Sequence, residues 1–511
     1  MTGPGRTTQA LPGAGGGPPV ASSSAAPSSE PHCSEPHCSG GAGAGGTCPP
    51  SIPSDRAGGG LLVALAAALC LLPLALPQPS LWFDEALSVT DGWLPRGLNH
   101  NPLWYALLRG VTGALGGQLD EVGLRALSVG ASAATALLLA WATRPLLGGR
   151  GAGWAALLWS LSPWALHWAT NARPYASGAL LVTAGLGLWV RGARADAPLR
   201  ALVGLGVMAL AGAFQLAFLV VPASLGLVSL LPRAWTGVEL ARTRRWVLGA
   251  GLLGAVGLGP WVLGTLSTYL GQKQEITGLA GLLHFAASAG FHLSPVLGIA
   301  ALLGALAARR QGGGVLLLLG LGSAVGACLV GGVSLLGQTT AQYVFGFLPL
   351  ACALAGAACA RRGWVAGFVV LGLATGSVLE LGPQRGSRSP WREAFAWIEA
   401  HRGPDEAVFA MQAGLGDLYT RPGWTDARHP RALAPLDRTR PHDLMAFARG
   451  DRSAWVLVRP DFLLKWPAPD RERLEEVLRL HGEHRARFEA PAPGRDLALE
   501  VWYLDLAGGR E

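Results

Sequence analysis

Lysine is almost missing from this chain: of 40 Lys and Arg residues only Lys273 and Lys465 are lysine. Acid is scarce as well. Between Leu61 and Leu381 the carboxylates are Asp84, Glu85, Asp91, Asp120, Glu121, Asp196, Glu239, Glu275 and Glu380. A soluble protein of 511 residues needs more surface charge than this, so a soluble globular class is excluded. No cysteine follows Cys359, so residues 383–511 hold no disulfide framework. Cys70, Cys328, Cys352 and Cys359 lie in or beside apolar runs and read as small buried residues. What the chain has instead is apolar length. Mean hydropathy is +0.35, half the residues are apolar, and the apolar residues come in runs long enough to cross a membrane. The net charge of +8 comes from arginines placed between those runs. That pattern points to membrane topology and away from a nucleic-acid partner.

Residues 1–58 are Gly-, Pro-, Ser- and Ala-rich and read as a disordered tail on the cytoplasmic side, with no signal peptide. The tail repeats Ser-Glu-Pro-His-Cys at 29–33 and 34–38, with Cys48 beyond. Two histidines and three cysteines are soft-metal ligands by type, but the spacing fits no zinc pattern well, and a duplicated low-complexity stretch is the better explanation.

About eleven spans follow, at 59–78, 122–142, 154–170, 175–190, 201–214, 216–231, 246–266, 293–308, 314–335, 343–360 and 364–381. With the tail in the cytoplasm, the cytoplasmic connections carry Arg144 and Arg150; Arg191, Arg194 and Arg200; Arg233, Arg242, Arg244 and Arg245; Arg309 and Arg310; Arg361 and Arg362. The alternation puts the loop 79–121, the connection 171–175 and everything beyond Leu381 outside. The expected organisation is a tail 1–58, a membrane domain 59–382 and an extracytoplasmic segment 383–511. That last segment reads as a small α/β domain, with helices near 390–401, 442–449 and 469–481 and strands near 406–411, 454–458 and 497–505.

Five of the scarce acids fall within 84–121. In Trp82-Phe83-Asp84-Glu85, Asp84 suits the start of a helix, where Asp is a good N-cap. If 84–91 is helical, Asp84, Ser88 and Asp91 share a face and Glu85 points about 100° away. One acid can then accept a proton from an attacking hydroxyl, while the other orients a substrate, binds a cation or holds a loop. His100, before Asn101-Pro102-Leu103-Trp104-Tyr105, is a donor to phosphate or carboxylate, or an ordinary interfacial histidine; Pro102 suits a first helical turn. Glu121 and Arg125 are four apart and are expected to pair along a helix, with an anionic lipid group as the alternative partner of Arg125. In Asn171-Ala172-Arg173-Pro174-Tyr175, preceded by Ser162-Pro163 and His167, Arg173 is a phosphate-type contact or a snorkelling arginine.

Taken in order, Trp82-Phe83-Asp84-Glu85, His100-Asn101-Pro102-Leu103-Trp104-Tyr105, Glu121 with Arg125, Ser162-Pro163 and Ala172-Arg173-Pro174-Tyr175 make the chain resemble the GT-C superfamily of membrane glycosyltransferases. The likeness is greatest to the bacterial branch related to ArnT and the protein mannosyltransferases. It covers roughly 59–381. It implies an α-helical polytopic GT-C fold in the bacterial cytoplasmic membrane. It also implies transfer of a sugar from a polyprenyl-phosphate donor to a lipid, glycan or protein acceptor on the outer side, with inversion. The family's catalytic aspartate falls on Asp84, and its second acid on Glu85. The substrate-binding positions fall on His100, Arg125, Arg173, Tyr175, Gln342 and Tyr343. No metal site is assigned; a divalent cation at the second acid is left open.

Two positions depart from the family. Asn101 stands where relatives often have a first proline, and Gln342 precedes Tyr343 where they often have arginine, so one phosphate contact is in question. A transporter or lipid flippase would explain the spans but would place polar residues near the bilayer midplane. A noncatalytic scaffold would tolerate loss of Asp84.

Overall fold

The computed structural model describes residues 56–76, 80–81, 85, 101–114, 121–236, 238–272, 276–310, 313–381, 388–403, 406–412, 415–416, 419, 433–435, 453–464, 466–492 and 495–505. The tail with its His/Cys repeat, the proposed helix at 84–91 apart from Glu85, and the one at 442–449 lie outside them. Pro102 does open a helix, Pro102–Ala114.

Among the described residues seven helices are long and apolar enough to cross a membrane, or eight if the bent pair Gly278–Leu293 and Pro295–Arg310 is one span. The helix Glu121–Ser160 is two arms. Gly148 breaks it with φ 68° and ψ −175°, a conformation that favours glycine. Trp159 Nε1 reaches Ser132 O at 3.1 Å, although the two are 27 residues apart. A straight helix would separate them by about 40 Å. Counting each arm, and the shorter apolar helices Pro198–Ala213 and Leu216–Ser229, the elements follow the eleven expected spans in order. The helix Gly278–Leu293 is additional. It meets Pro295–Arg310 at 86° across Ser294, which has a positive φ of 65°.

The first helix, Arg56–Ala75, packs on the two-armed helix Glu121–Ser160 through glycine. A Cβ on Gly59 would lie 2.4 Å from Gly149 O, and one on Gly153 would lie 2.8 Å from Gly59 O. Without a hydrophobic drive between helices in lipid, such close backbone approach supplies the packing. Cys70, Cys352 and Cys359 are buried, as expected, but Cys328, on the helix Gly314–Ser334, is exposed. An aromatic cluster fills the core near one end of the bundle. Phe345 lies 5.8 Å from Trp159, 5.1 Å from Trp164 and 6.3 Å from Tyr175, centroid to centroid. This anchors the 3-10 segment Ala341–Phe347, which carries Gln342 and Tyr343. At the other end Asp196 accepts hydrogen bonds from Thr243 N (3.1 Å) and Thr243 Oγ1 (2.8 Å), tying its loop to the start of the helix Ala241–Gln272.

After the last span come a helix, Trp391–His401, and a five-stranded sheet of order β2-β1-β3-β7-β4. The strands are β1 (Ala407–Ala410), β2 (Leu433–Pro435), β3 (Ala454–Val458), β4 (Gly482–Phe488) and β7 (Leu499–Leu504), with a small hairpin of β5 (Pro491–Ala492) and β6 (Arg495–Asp496). β1 runs parallel to β2 and β3, while β7 is antiparallel to β3 and β4. Every residue of β3 is buried, which is why Ala-Trp-Val-Leu-Val reads as a continuous apolar run.

Glu406, just before β1, closes this sheet at one end. Its carboxylate accepts from Trp455 Nε1 (2.7 Å), Gly403 N (2.7 Å), Tyr503 OH (2.9 Å) and Ser453 Oγ (3.2 Å). Burial alone would raise the Glu406 carboxyl; these hydrogen bonds, Trp455 first, hold it below its ordinary value. A carboxyl depressed in the folded state stabilises fully above its unfolded value, about 4.3. It loses that contribution as pH falls through the folded value. Glu406→Ala should therefore cost the sheet about 2–3 kcal/mol at neutral pH. In acid unfolding followed by tryptophan fluorescence, the gap between wild type and variant should begin to narrow as pH falls below the unfolded value, about 4.3, and go on narrowing until pH has passed the depressed folded value.

Candidate active site

The sequence-predicted residues divide into two adjoining groups. The first is a buried charge network. Glu85 and Arg125 are both 0% exposed. Arg125 grips the Glu85 carboxylate with two prongs, Nε to Oε1 at 3.0 Å and Nη2 to Oε2 at 3.0 Å. Arg388, beyond the last span, donates Nη1 to Oε2 at 3.1 Å, and the backbone N–H of Ala172 donates to Oε1 at 2.7 Å. One carboxylate thus faces two guanidinium groups. Arg125 also reaches Ser80 O at 3.3 Å, and the second prong of Arg388 donates to Asn171 Oδ1 at 2.6 Å. Burial lowers the Arg388 guanidinium from its ordinary value, and the Glu85 charge opposes that.

The expected pairing of Glu121 with Arg125 does not form; each takes a partner from elsewhere in the chain. Glu121 is bound by Arg392 and by Tyr419 OH, the latter at 2.8 Å. Burial, then the Glu121 charge, push the Tyr419 phenol well above its ordinary value. The phenol stays protonated and donates to Glu121 while accepting from Leu81 N at 2.6 Å. Ser80 Oγ donates to Glu393 at 3.1 Å. Leu81, Leu108 and Leu124 share a buried cluster with Trp391, Phe395 and Ile398. The segment after the last span is therefore fastened to this end of the bundle by charge and by apolar packing together.

A divalent cation does not fit at Glu85. Arg125, Arg388 and the Ala172 N–H occupy both carboxylate oxygens, and a cation there would face two positive charges.

The second group lines a cavity of about 340 Å³. Arg173, Tyr175, Gln342 and Tyr343 all border it, and so does Asn101, next in sequence to His100. Tyr175 stacks on Trp168 with centroids 3.8 Å apart, and Tyr343 meets Tyr269 edge to face at 5.4 Å. The helix Ala241–Gln272 supplies the opposite wall through Val262, Thr265, Leu266 and Tyr269. The described lining holds one guanidinium, phenols, amides and hydroxyls, and no carboxylate. Such a surface suits an anion carrying an apolar tail. Arg125 is not part of this lining; it belongs to the charge network beside it. Asp84 and His100 lie outside the described residues.

A larger groove of about 620 Å³ runs along the far side of the segment 341–347, past Phe285, Leu302 and Val344 to Arg309. Its walls are almost wholly apolar.

Reading the sequence did not find Arg388, Arg392 or Tyr419. One signal was available: Arg385, Arg388 and Arg392 cluster directly after the last span, on the side where the alternation rule expects few arginines.

No protein-family model matches the chain, and no curated protein matches it. Solved structures do. ArnT from Cupriavidus metallidurans in the apo state superposes with a TM-score of 0.53 at 15% identity, over 88% of this chain and 98% of ArnT. The same enzyme bound to undecaprenyl phosphate gives 0.52 at 14% identity, over 88% and 99%. The Archaeoglobus fulgidus oligosaccharyltransferase AglB, with an inhibitory peptide and a dolichol phosphate, gives 0.47 at 10% identity over 88% and 74%, a likeness too distant to carry an argument. The chain is a multi-pass membrane protein with the GT-C fold, in the form seen in ArnT.

Proposed function

We propose that this protein is a glycosyltransferase that moves a sugar from a polyprenyl-phosphate carrier to an acceptor hydroxyl on the outer face of a bacterial cytoplasmic membrane. The observation that carries this reading is the convergence of Arg173, Tyr175, Gln342 and Tyr343 on one cavity, in a GT-C fold, whose described lining holds no carboxylate. The solved ArnT of the same fold holds undecaprenyl phosphate, which is the chemistry such a cavity suits.

In this reaction the acceptor oxygen attacks the anomeric carbon and forms the new glycosidic bond. The bond from that carbon to the carrier's phosphate oxygen breaks, and the phosphate leaves with the electron pair. The acceptor proton passes to Asp84, and a single displacement inverts the anomeric centre. Arg173 stabilises the charge that grows on the departing phosphate. The phenols of Tyr343 and Tyr269 border the same space and can donate to it. Gln342, an amide where relatives often have arginine, leaves Arg173 as the described cation of the lining. The acceptor is a lipid, a glycan or a protein.

Binding tests this reading without knowledge of the sugar. Purified protein in nanodiscs should bind undecaprenyl phosphate, followed by native mass spectrometry. Arg173→Ala should weaken binding about 10- to 100-fold, the scale of one charge-assisted contact. Equal binding by both proteins removes Arg173 from the carrier site.

A further inference from the structure

The turn 170–174 that carries Arg173 lies between the helices Pro163–Ala169 and Tyr175–Arg194. Side chains from three distant elements hold it. Asn171 Oδ1 accepts from Arg388 at 2.6 Å, Ala172 N donates to Glu85 at 2.7 Å, and Arg173 O accepts from Ser128 Oγ at 3.4 Å. Within the turn, Arg173 N donates to Asn171 O at 2.8 Å. Asn171 and Ala172 are both fully buried. Arg388 touches this arrangement twice, directly at Asn171 and through Glu85 at Ala172. Its two prongs thereby fix two successive residues ahead of Arg173. A lysine has one ammonium and cannot bridge the same pair of acceptors with a planar fork.

We infer that Arg388 is a positioning residue for Arg173, so that the segment beyond the last span takes part in building the carrier site. The inference deepens the reading of Arg173 as the phosphate contact and rests on it. Arg388 is not among the described lining of the cavity; it sets where the Arg173 guanidinium points. A displacement of about 1 Å in such a group is enough to cost about 100-fold in a reaction that depends on it. Loss of Arg388 leaves Glu85 still paired with Arg125 and the Ala172 N–H, so the carboxylate keeps a cationic partner.

The test uses the full chain in nanodiscs with undecaprenyl phosphate as probe, and compares wild type with Arg388→Ala, Arg388→Lys and Asn171→Ala. Two readouts are taken: undecaprenyl phosphate affinity, and hydrogen exchange of the peptide spanning 168–176. Arg388→Ala should weaken binding at least tenfold and speed exchange at Ala172 and Arg173 at least tenfold, while the main unfolding transition stays cooperative. Arg388→Lys should recover only part of both losses. Asn171→Ala should weaken binding as well, and the double variant Asn171→Ala/Arg388→Ala should fall short of the product of the two single losses, because both act through one turn. Wild-type affinity in Arg388→Ala overturns the inference, whatever exchange shows. If the wild type itself binds no undecaprenyl phosphate, the carrier reading fails. Exchange at 172–173 then decides alone: unchanged rates overturn the positioning role, and faster rates uphold it.

Discussion

Glu85→Ala is expected to be the most destabilising single substitution at this end of the molecule, costing about 3–5 kcal/mol. The carboxylate is fully buried and serves Arg125, Arg388 and the Ala172 N–H at once. Removing it strands two guanidinium groups where water cannot repay them. A buried ion pair adds little net stability over an apolar pair of similar shape, but breaking one by deleting a partner leaves an uncompensated charge. The damage should be local as well as global. Arg125 and Arg388 would repel each other, and the contact between the span and the segment beyond Leu381 would loosen. Thermal unfolding in detergent should show a lower and broader transition for Glu85→Ala. Limited proteolysis should cut near residue 388 sooner than in wild type. A transition unchanged in midpoint and width would show that the network is not holding this end together.

Asp84→Asn should behave in the opposite way: nearly wild-type stability, with transfer reduced by about 10²–10⁴-fold, the range for loss of a general base. The variant keeps the size and one carbonyl acceptor, and loses the negative charge and the ability to take a proton. Carrier affinity should be close to wild type, so the loss should fall on kcat with KM little changed. The contrast between neighbours is the informative part. Two acids adjacent in sequence would then separate cleanly, Glu85 failing in stability and Asp84 failing in turnover. If Asp84→Asn instead unfolds as readily as Glu85→Ala, the aspartate serves structure as its neighbour does.

The parts legible in the sequence were those written in local pattern. Regular arginines between apolar runs specify the spans, because charge recurs at alternate connections along the chain. The helix Gly278–Leu293 escaped because it is 16 residues long, carries His284 and His292, and lies sharply bent against its neighbour rather than reading as a span of its own. β4 escaped for another reason. Gly-Glu-His-Arg-Ala-Arg-Phe is a mostly exposed edge strand, and edge strands carry charge that hides their pattern. β3, central and fully buried, was plain.

At the site, Arg173, Tyr175, Gln342 and Tyr343 were readable as motifs, and the fold brings them to one cavity. The partners of Glu85 and Glu121 were not readable. Glu121 and Arg125 stand at a spacing that suggests a helical pair, yet each is bound by a residue far off in sequence. Glu85 and Arg388 are 303 residues apart, and no periodicity relates them. The rule for helical pairs is worth only about 0.2–0.5 kcal/mol, and a buried tertiary partner overrides it.

The central claim is that sugar leaves a polyprenyl-phosphate carrier by way of Asp84 on the outer face. The most direct measurement is transfer from a radiolabelled polyprenyl-phosphate sugar in membranes bearing wild type or Asp84→Asn, with carrier-bound label separated from product. Wild type should move label off the carrier onto an acceptor, and Asp84→Asn should leave it on the carrier. Equal transfer by the two, or label that stays on the carrier with wild type for every pentosyl and hexosyl donor tried, would contradict the account.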